Sequence, residues 1–267
     1  MLRRLHDYEQ LTVHATNGEL GSIDDFLFDD GRWTVRYLVV GTGSLFGRRV
    51  AISPIAAAEP DWNARRLVLR LSRDRIREGP DLLTGPEVPR TREEEYATYY
   101  GYPAYWGGPG LWAWAGSPGA LASTPPPEYP VPPGGEDPKT IAQHQYQLRS
   151  AANLRGAHLQ ASDGEIGHVD DLLIDVDSWK APYLLIDTSN WPGGKSVLVP
   201  TAAVTTVNWA TPRVHIDLPR ARIKEAPVPD LNLPLDHATE TALATYYGRD
   251  AGSDSASQVR GASRGSR

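Results

Sequence analysis

The chain has 267 residues, 40% hydrophobic and 22% charged, with a formal net charge of -6. That length fits one or two domains, and that balance fits a globular protein carrying some low-complexity sequence. The acidic balance argues against nonspecific nucleic-acid binding by the bulk surface, and the lack of cysteine excludes disulfides, thiolate metal sites and cysteine nucleophiles.

At the N-terminus, Met1 to Tyr8 has two arginines but lacks the apolar run of about 7 to 15 residues that a signal peptide needs. No stretch approaches the roughly 18 apolar residues of a spanning helix, so a cytoplasmic location is expected. Asn17-Gly18 lies between apolar runs and signals a β-hairpin. Five strands are predicted: Leu11 to Ala15, Leu20 to Phe28, Trp33 to Val40, Val50 to Ile52 and Leu67 to Leu71. Alternation breaks across Asp24-Asp25, as a β-bulge would make it do. Short strands without a long amphipathic helix favour a small closed sheet. The arginines at 48, 49, 65, 66, 70, 73, 75 and 77 form a basic stretch; it reads as a solvated face or, less favoured, as a contact for RNA or an acidic partner. A short helix over Thr91 to Tyr100 follows, with Thr91 as its cap and Gly101 as its stop.

Residues 101 to 138 hold ten of the 23 prolines and three tryptophans, Trp106, Trp112 and Trp114. A flexible spacer has no use for aromatic residues, which are costly to leave in water and enriched at contacts. This linker therefore either packs on its own chain or docks a partner.

The first unit then recurs. At an offset of 146 residues, Asn17 to Asp29 matches Asp163 to Asp175, Trp33 meets Trp179, and Tyr37 to Val40 meets Tyr183 to Ile186. After an extra residue near Trp191 the offset is 147, where Val50 meets Val197, Trp62 meets Trp209, and the Tyr99-Tyr100-Gly101 ending meets Tyr246-Tyr247-Gly248. The basic stretch thins in this copy to Arg213, Arg220, Arg222 and Lys224. The tail from Arg249 to Arg267, rich in Ser, Gly and Arg, reads as disordered.

The repeated pattern Gly18-Glu19-Leu20-Gly21-x-Ile23-x-Asp25-x-Leu27-x-Asp29, with Trp33, Tyr37 to Val40 and Val50-x-Ile52-x-Pro54, resembles the PRC-barrel domain family. The resemblance returns through Gly164, Gly167, Asp171, Asp175, Trp179, Tyr183 and Pro200, and covers about residues 5 to 82 and 148 to 231. It implies a noncatalytic barrel used as a protein-contact module. Related barrels occur in the photosynthetic reaction centre H subunit and in a ribosome maturation factor, so a membrane-complex accessory role and an RNA- or ribosome-associated role stand as alternatives. The H subunit's membrane span and the ribosome factor's separate N-terminal domain have no counterpart here.

The expected fold is mainly β: two small barrels in a pseudo-two-fold arrangement, paired as a fused homodimer would be, each followed by a short helix. The boundaries fall at 1–82, 83–101, 102–140 (linker), 141–231, 232–248 and 249–267 (tail). Candidate partner contacts are Trp106, Trp112, Trp114, Arg48, Arg49, Arg65 and Arg66. Adjacent carboxylates such as Asp24-Asp25 and Asp170-Asp171 point to opposite strand faces and cannot readily share an ion; bulge and turn roles suit them. No His-x-x-x-His spacing, nucleophilic-serine signature or phosphate loop is present. No catalytic residue, metal or cofactor is therefore expected.

Overall fold

The computed structural model describes residues 1–43, 47–83, 85, 87–125, 146–189, 194–228, 230–231 and 233–248. Trp191, linker residues 126–140 and the 249–267 tail lie outside the described residues.

Two β units share an element order, except that unit 2 has one extra strand after its 3-10 turn. In unit 1, β1 (Leu2–Arg4) and α1 (Leu5–Glu9) lead into β2 (Thr12–Ala15), β3 (Gly18–Asp29), β4 (Thr34–Gly41) and β5 (Arg49–Ile52). A 3-10 turn (Pro54–Ala56), β6 (Arg66–Val68), α2 (Arg73–Arg77) and α3 (Arg90–Tyr100) follow. The linker contains α4 (Pro118–Ser123). Unit 2 opens with β7 (Leu148–Ser150) and α5 (Ala151–Leu154) and continues through β8 (His158–Ala161), β9 (Gly164–Asp175), β10 (Tyr183–Asp187) and β11 (Ser196–Pro200). It ends in a 3-10 turn (Thr201–Ala203), β12 (Val204–Asn208), β13 (Arg213–Ile216), α6 (Arg220–Lys224) and α7 (His237–Tyr247).

The sheets run β5-β4-β3-β2-β6 and β11-β10-β9-β8-β13-β12, with β2–β6 and β8–β13 parallel. Neither closes into one continuous ladder among the described residues, contrary to the closed sheet expected. In each, a 3-10 turn follows the strand at one end of the path, and in unit 1 Ala57, just after that turn, bridges to Leu69, just after β6.

The predicted hairpin forms, but its two turn residues are Thr16 and Asn17, because Gly18 already pairs with Ala15. Asn17 Oδ1 instead accepts from the Arg73 amide at 2.8 Å, and Asp163 Oδ1 from that of Arg220 at 2.8 Å, so each caps a short helix. Gly21 is dictated by space: a Cβ there would sit 1.9 Å from the Gly41 carbonyl oxygen. The bulge expected at Asp24-Asp25 is present, as Ile23 faces Val40 while Asp25 faces Val39.

The units are interlocked. β1 pairs not with unit 1 but with β9, placing Leu2 against Asp175, and β7 pairs reciprocally with β3, placing Leu148 against Asp29. This covers the outer side of the Phe26 to Phe28 and Leu172 to Ile174 runs, whose residues are all buried. Trp33 and Trp179 adopt left-handed conformations (φ 53° and 60°). Their carbonyls accept from Ala181 N (2.6 Å) and Val35 N (2.9 Å) across the junction. Asp25 accepts from Ala152 N at 2.9 Å and Asp171 from His6 N at 3.0 Å, so each bulge carboxylate caps a helix from the other unit. Tyr8 packs 5.2 Å from Trp179 and Phe28 6.2 Å from Trp209, giving one continuous core.

α3 and α7 dock on the sheets by the repeated ending. Tyr99 donates to Arg75 O (3.0 Å) and Tyr246 to Arg222 O (2.7 Å), each ring under the same arginine's guanidinium. Gly101 and Gly248 stop the helices at φ 71° and 69°. Thr91 is not the cap of α3: the N-cap is Pro89 and Thr91 lies inside the first turn. No described helix is long and apolar enough to cross a membrane.

Candidate docking groove at the junction of the two units

Each unit has a concave site between its trailing helix, its 3-10 turn and the strand that starts with the repeated Tyr. In unit 1 it is filled by the linker. Glu93 on α3 is 2% exposed. Its Oε2 accepts from the Tyr105 hydroxyl at 2.6 Å and from Tyr37 at 3.4 Å, while Arg90 lies 2.9 Å from Oε1. Burial raises the Glu93 pKa, and Arg90 and the two hydroxyls only partly offset it. Burial and the nearby Glu93 carboxylate hold Tyr37 and Tyr105 well above the usual phenol value.

Beside them Arg36, 1% exposed, is bound to Asp29 at 2.7 Å and covered by the rings of Tyr105 (4.2 Å) and Trp112 (4.6 Å). A buried guanidinium is tolerable when paired and faced by aromatic rings. Trp112 is 0% exposed and donates to Ser178 O at 2.7 Å, tying the linker to unit 2. Arg32 donates to Gly110 O, and α4 packs on the Pro54–Ala56 turn.

In unit 2 the equivalent positions border a groove of about 930 Å³. Tyr183 stands for Tyr37, Glu240 for Glu93, and Thr201 and Ala202 for Pro54 and Ile55. The opposite wall is the unit-1 linker: Gly110, Leu111, Trp114 and Gly116. Asp175, Lys180 and Arg32 give it charge of both signs. Glu240 Oε1 is buried without a hydrogen-bond partner, and Oε2 has only His237 at 3.8 Å. Burial raises the Glu240 pKa, against the pull of the N-terminal ammonium, and burial raises Tyr183 to about 12. The groove can thus offer a half-buried hydrogen-bond acceptor beside apolar and aromatic wall. The counterpart of Arg36 is Pro182 and that of Arg90 is His237, so the cations that face the Tyr105 and Trp112 rings in unit 1 are missing from unit 2.

The structure separates the residues singled out in the sequence. Trp112 presents no surface to a partner. Trp106 is half-buried beneath Arg90 at 4.3 Å, and Trp114 is half-buried on the groove wall. Arg48 is paired with Asp81 at 3.1 Å and donates to Arg77 O. Arg49 is exposed on β5, and Arg65 and Arg66 are exposed at β6, the two ends of the sheet path. Arg75 and Arg77 are engaged by Tyr99 and by Asp74. Among the described residues, no group of three or more His, Asp or Glu is placed to hold a metal ion.

Glu93, Arg36, Tyr105 and Glu240 were not singled out in the sequence, and Tyr183 entered only as part of the repeated pattern. The signal available was the repeat itself, since Glu93 and Glu240 stand at one position of the copied helix. A comparison with curated proteins finds no match to this chain. Unit 1 repeats unit 2 strand for strand up to β5. Residues 148–223 match the family model of the PRC-barrel domain, and the second unit is a PRC-barrel domain.

Proposed function

We propose that the chain is a noncatalytic contact protein that holds a partner polypeptide in the groove between the two units. The observation that carries this reading is the groove's relation to its twin: the same site in unit 1 already holds a stretch of polypeptide, residues 105–121. Its mixed apolar and polar lining and its size, at the upper end of the roughly 300–1,000 Å³ of ordinary binding sites, suit a short peptide segment. A role as scaffold or adaptor follows from two interlocked units that make one rigid platform. The RNA reading is supported less, since Arg48, Arg75 and Arg77 are engaged within the chain.

The chain has no cysteine, so one can be installed wherever a label is wanted. A Cβ at Gly116, on the groove wall, and one at Gly119, on α4 away from it, would each meet nothing within 4 Å. Gly116→Cys and Gly119→Cys chains, labelled with a thiol-linked photo-cross-linker and returned to the source lysate, test the reading. Adducts from position 116 alone, abolished by a bulky Gly116→Trp groove block, are expected. Equal adducts from both positions would sink it.

A further inference from the structure

We infer that the occupant of the unit-2 groove is a segment of another protein carrying a tyrosine, whose hydroxyl donates to Glu240 as Tyr105 donates to Glu93. This rests on the contact role proposed above and specifies the chemistry of the partner.

The argument is one of paired sites. α3 and α7 are copies, and their glutamates stand at the same helical position, each facing the repeated tyrosine of its own sheet. In unit 1 the glutamate is satisfied three times, most closely by a phenol at 2.6 Å supplied by an inserted strip of chain. In unit 2 the place of Arg90 is taken by His237, and the Glu240 side chain, 22% exposed, lines the groove. A hydrogen bond to a charged group is among the stronger ones. An occupant with a hydroxyl at that point makes this bond, whereas an aliphatic occupant strips water from the carboxylate without replacing it.

The absence of Arg36 and Arg90 equivalents narrows the chemistry further. In unit 1 those cations make Trp112 and Trp106 favourable, whereas Pro182 and His237 leave unit 2 selective for the hydroxyl more than for a second indole.

The obvious rival donors within this chain do not supply the same group. The Tyr105 of a second copy is 8% exposed and committed to its own unit, and residues 249–267 contain no aromatic residue. Tyr146 itself lines the groove and is 41% exposed, and Tyr129 is close in sequence to the groove wall; both are tested directly.

The probe is a fluorescently labelled synthetic peptide with the sequence of residues 102–116, titrated against the full chain by anisotropy. Saturable binding is expected, and Gly116→Trp abolishes it. Replacing the tyrosine at the peptide's fourth position by phenylalanine weakens it about tenfold, the worth of one hydrogen bond to a charged group. Glu240→Gln weakens the tyrosine peptide but leaves the phenylalanine peptide unchanged. Circular dichroism shows whether either variant still folds, and Glu93→Gln, at the occupied site, serves as the matched control.

Binding that ignores both the tyrosine hydroxyl and Glu240 overturns the inference while leaving the groove as a contact site. No binding, with cross-links from position 116 still present, likewise removes only the tyrosine chemistry. Tighter binding by Tyr129→Phe, by Tyr146→Phe, or by a chain ending at Gly248, would make a segment of this chain the resident. Concentration-dependent self-association blocked by Gly116→Trp would make it a second copy. Either result overturns the claim of a separate partner.

Discussion

Replacing Trp112 by alanine tests whether the linker is part of the folded body. The side chain is 0% exposed, so truncation removes its burial and leaves a cavity, a loss of about 3–5 kcal/mol for a large aromatic. The hydrogen bond to Ser178 O adds roughly 1 kcal/mol, giving about 4–6 kcal/mol in all. Arg36 also loses one of the two rings that cover it, which keeps the estimate at the upper side. At about 2–4 °C per kcal/mol for a protein of this size, Tm falls by roughly 10–20 °C. Urea denaturation followed by circular dichroism, set beside Trp106→Ala, reads it out; the half-buried Trp106 should cost about 1 kcal/mol. A loss below about 1 kcal/mol for Trp112→Ala would mean that residues 105–116 are not held against the sheet, and the comparison of filled and open sites would fall with it.

Three further outcomes follow from the packing. Deleting residues 1–4 removes β1, and hydrogen exchange should quicken in β9 at residues 173–175, across the junction; quickening confined to unit 1 would contradict the strand exchange. Asp171→Ala strips a nearly buried carboxylate from His6 N and from Arg155 at 3.0 Å. It should cost about 2–3 kcal/mol in urea, and a double-mutant cycle with Arg155→Ala should show strong coupling. Burial raises the Glu93 pKa in the folded chain, so the native state holds this proton more tightly than the unfolded one. The stability of the wild type relative to Glu93→Gln is then greatest below the ordinary glutamate pKa and lost as pH rises through the raised value. Thermal melts across that window check the sign, and a difference growing with pH would refute it.

Much of the fold was legible because the duplicated strands are short apolar runs punctuated by turn residues and the copies confirm each other. The bulge at Asp24 could be seen in the broken alternation before Phe26. What could not be seen was pairing across the copies: a repeat shows that Leu2 and Leu148 are equivalent but not that each strand crosses to the other unit. The same ambiguity hid the roles of Asp25 and Asp171, which resemble local turn residues until the partner helix is in place. Composition left open whether Trp112 packs or docks, and the answer came from a buried arginine, Arg36, that needed rings on its faces. Glu240 is distinguished only by its comparison with Glu93, which requires both environments.

Hydrogen exchange of the full chain, with and without its bound partner segment, addresses the groove most directly. Protection should appear at residues 109–116, at Lys180 to Tyr183, at the 201–204 turn and around Glu240, with no change at the Pro54–Ala56 turn that α4 already covers. Protection centred instead on Arg65 and Arg66, or a footprint on unit 1 alone, would contradict the assignment of the groove as the contact site.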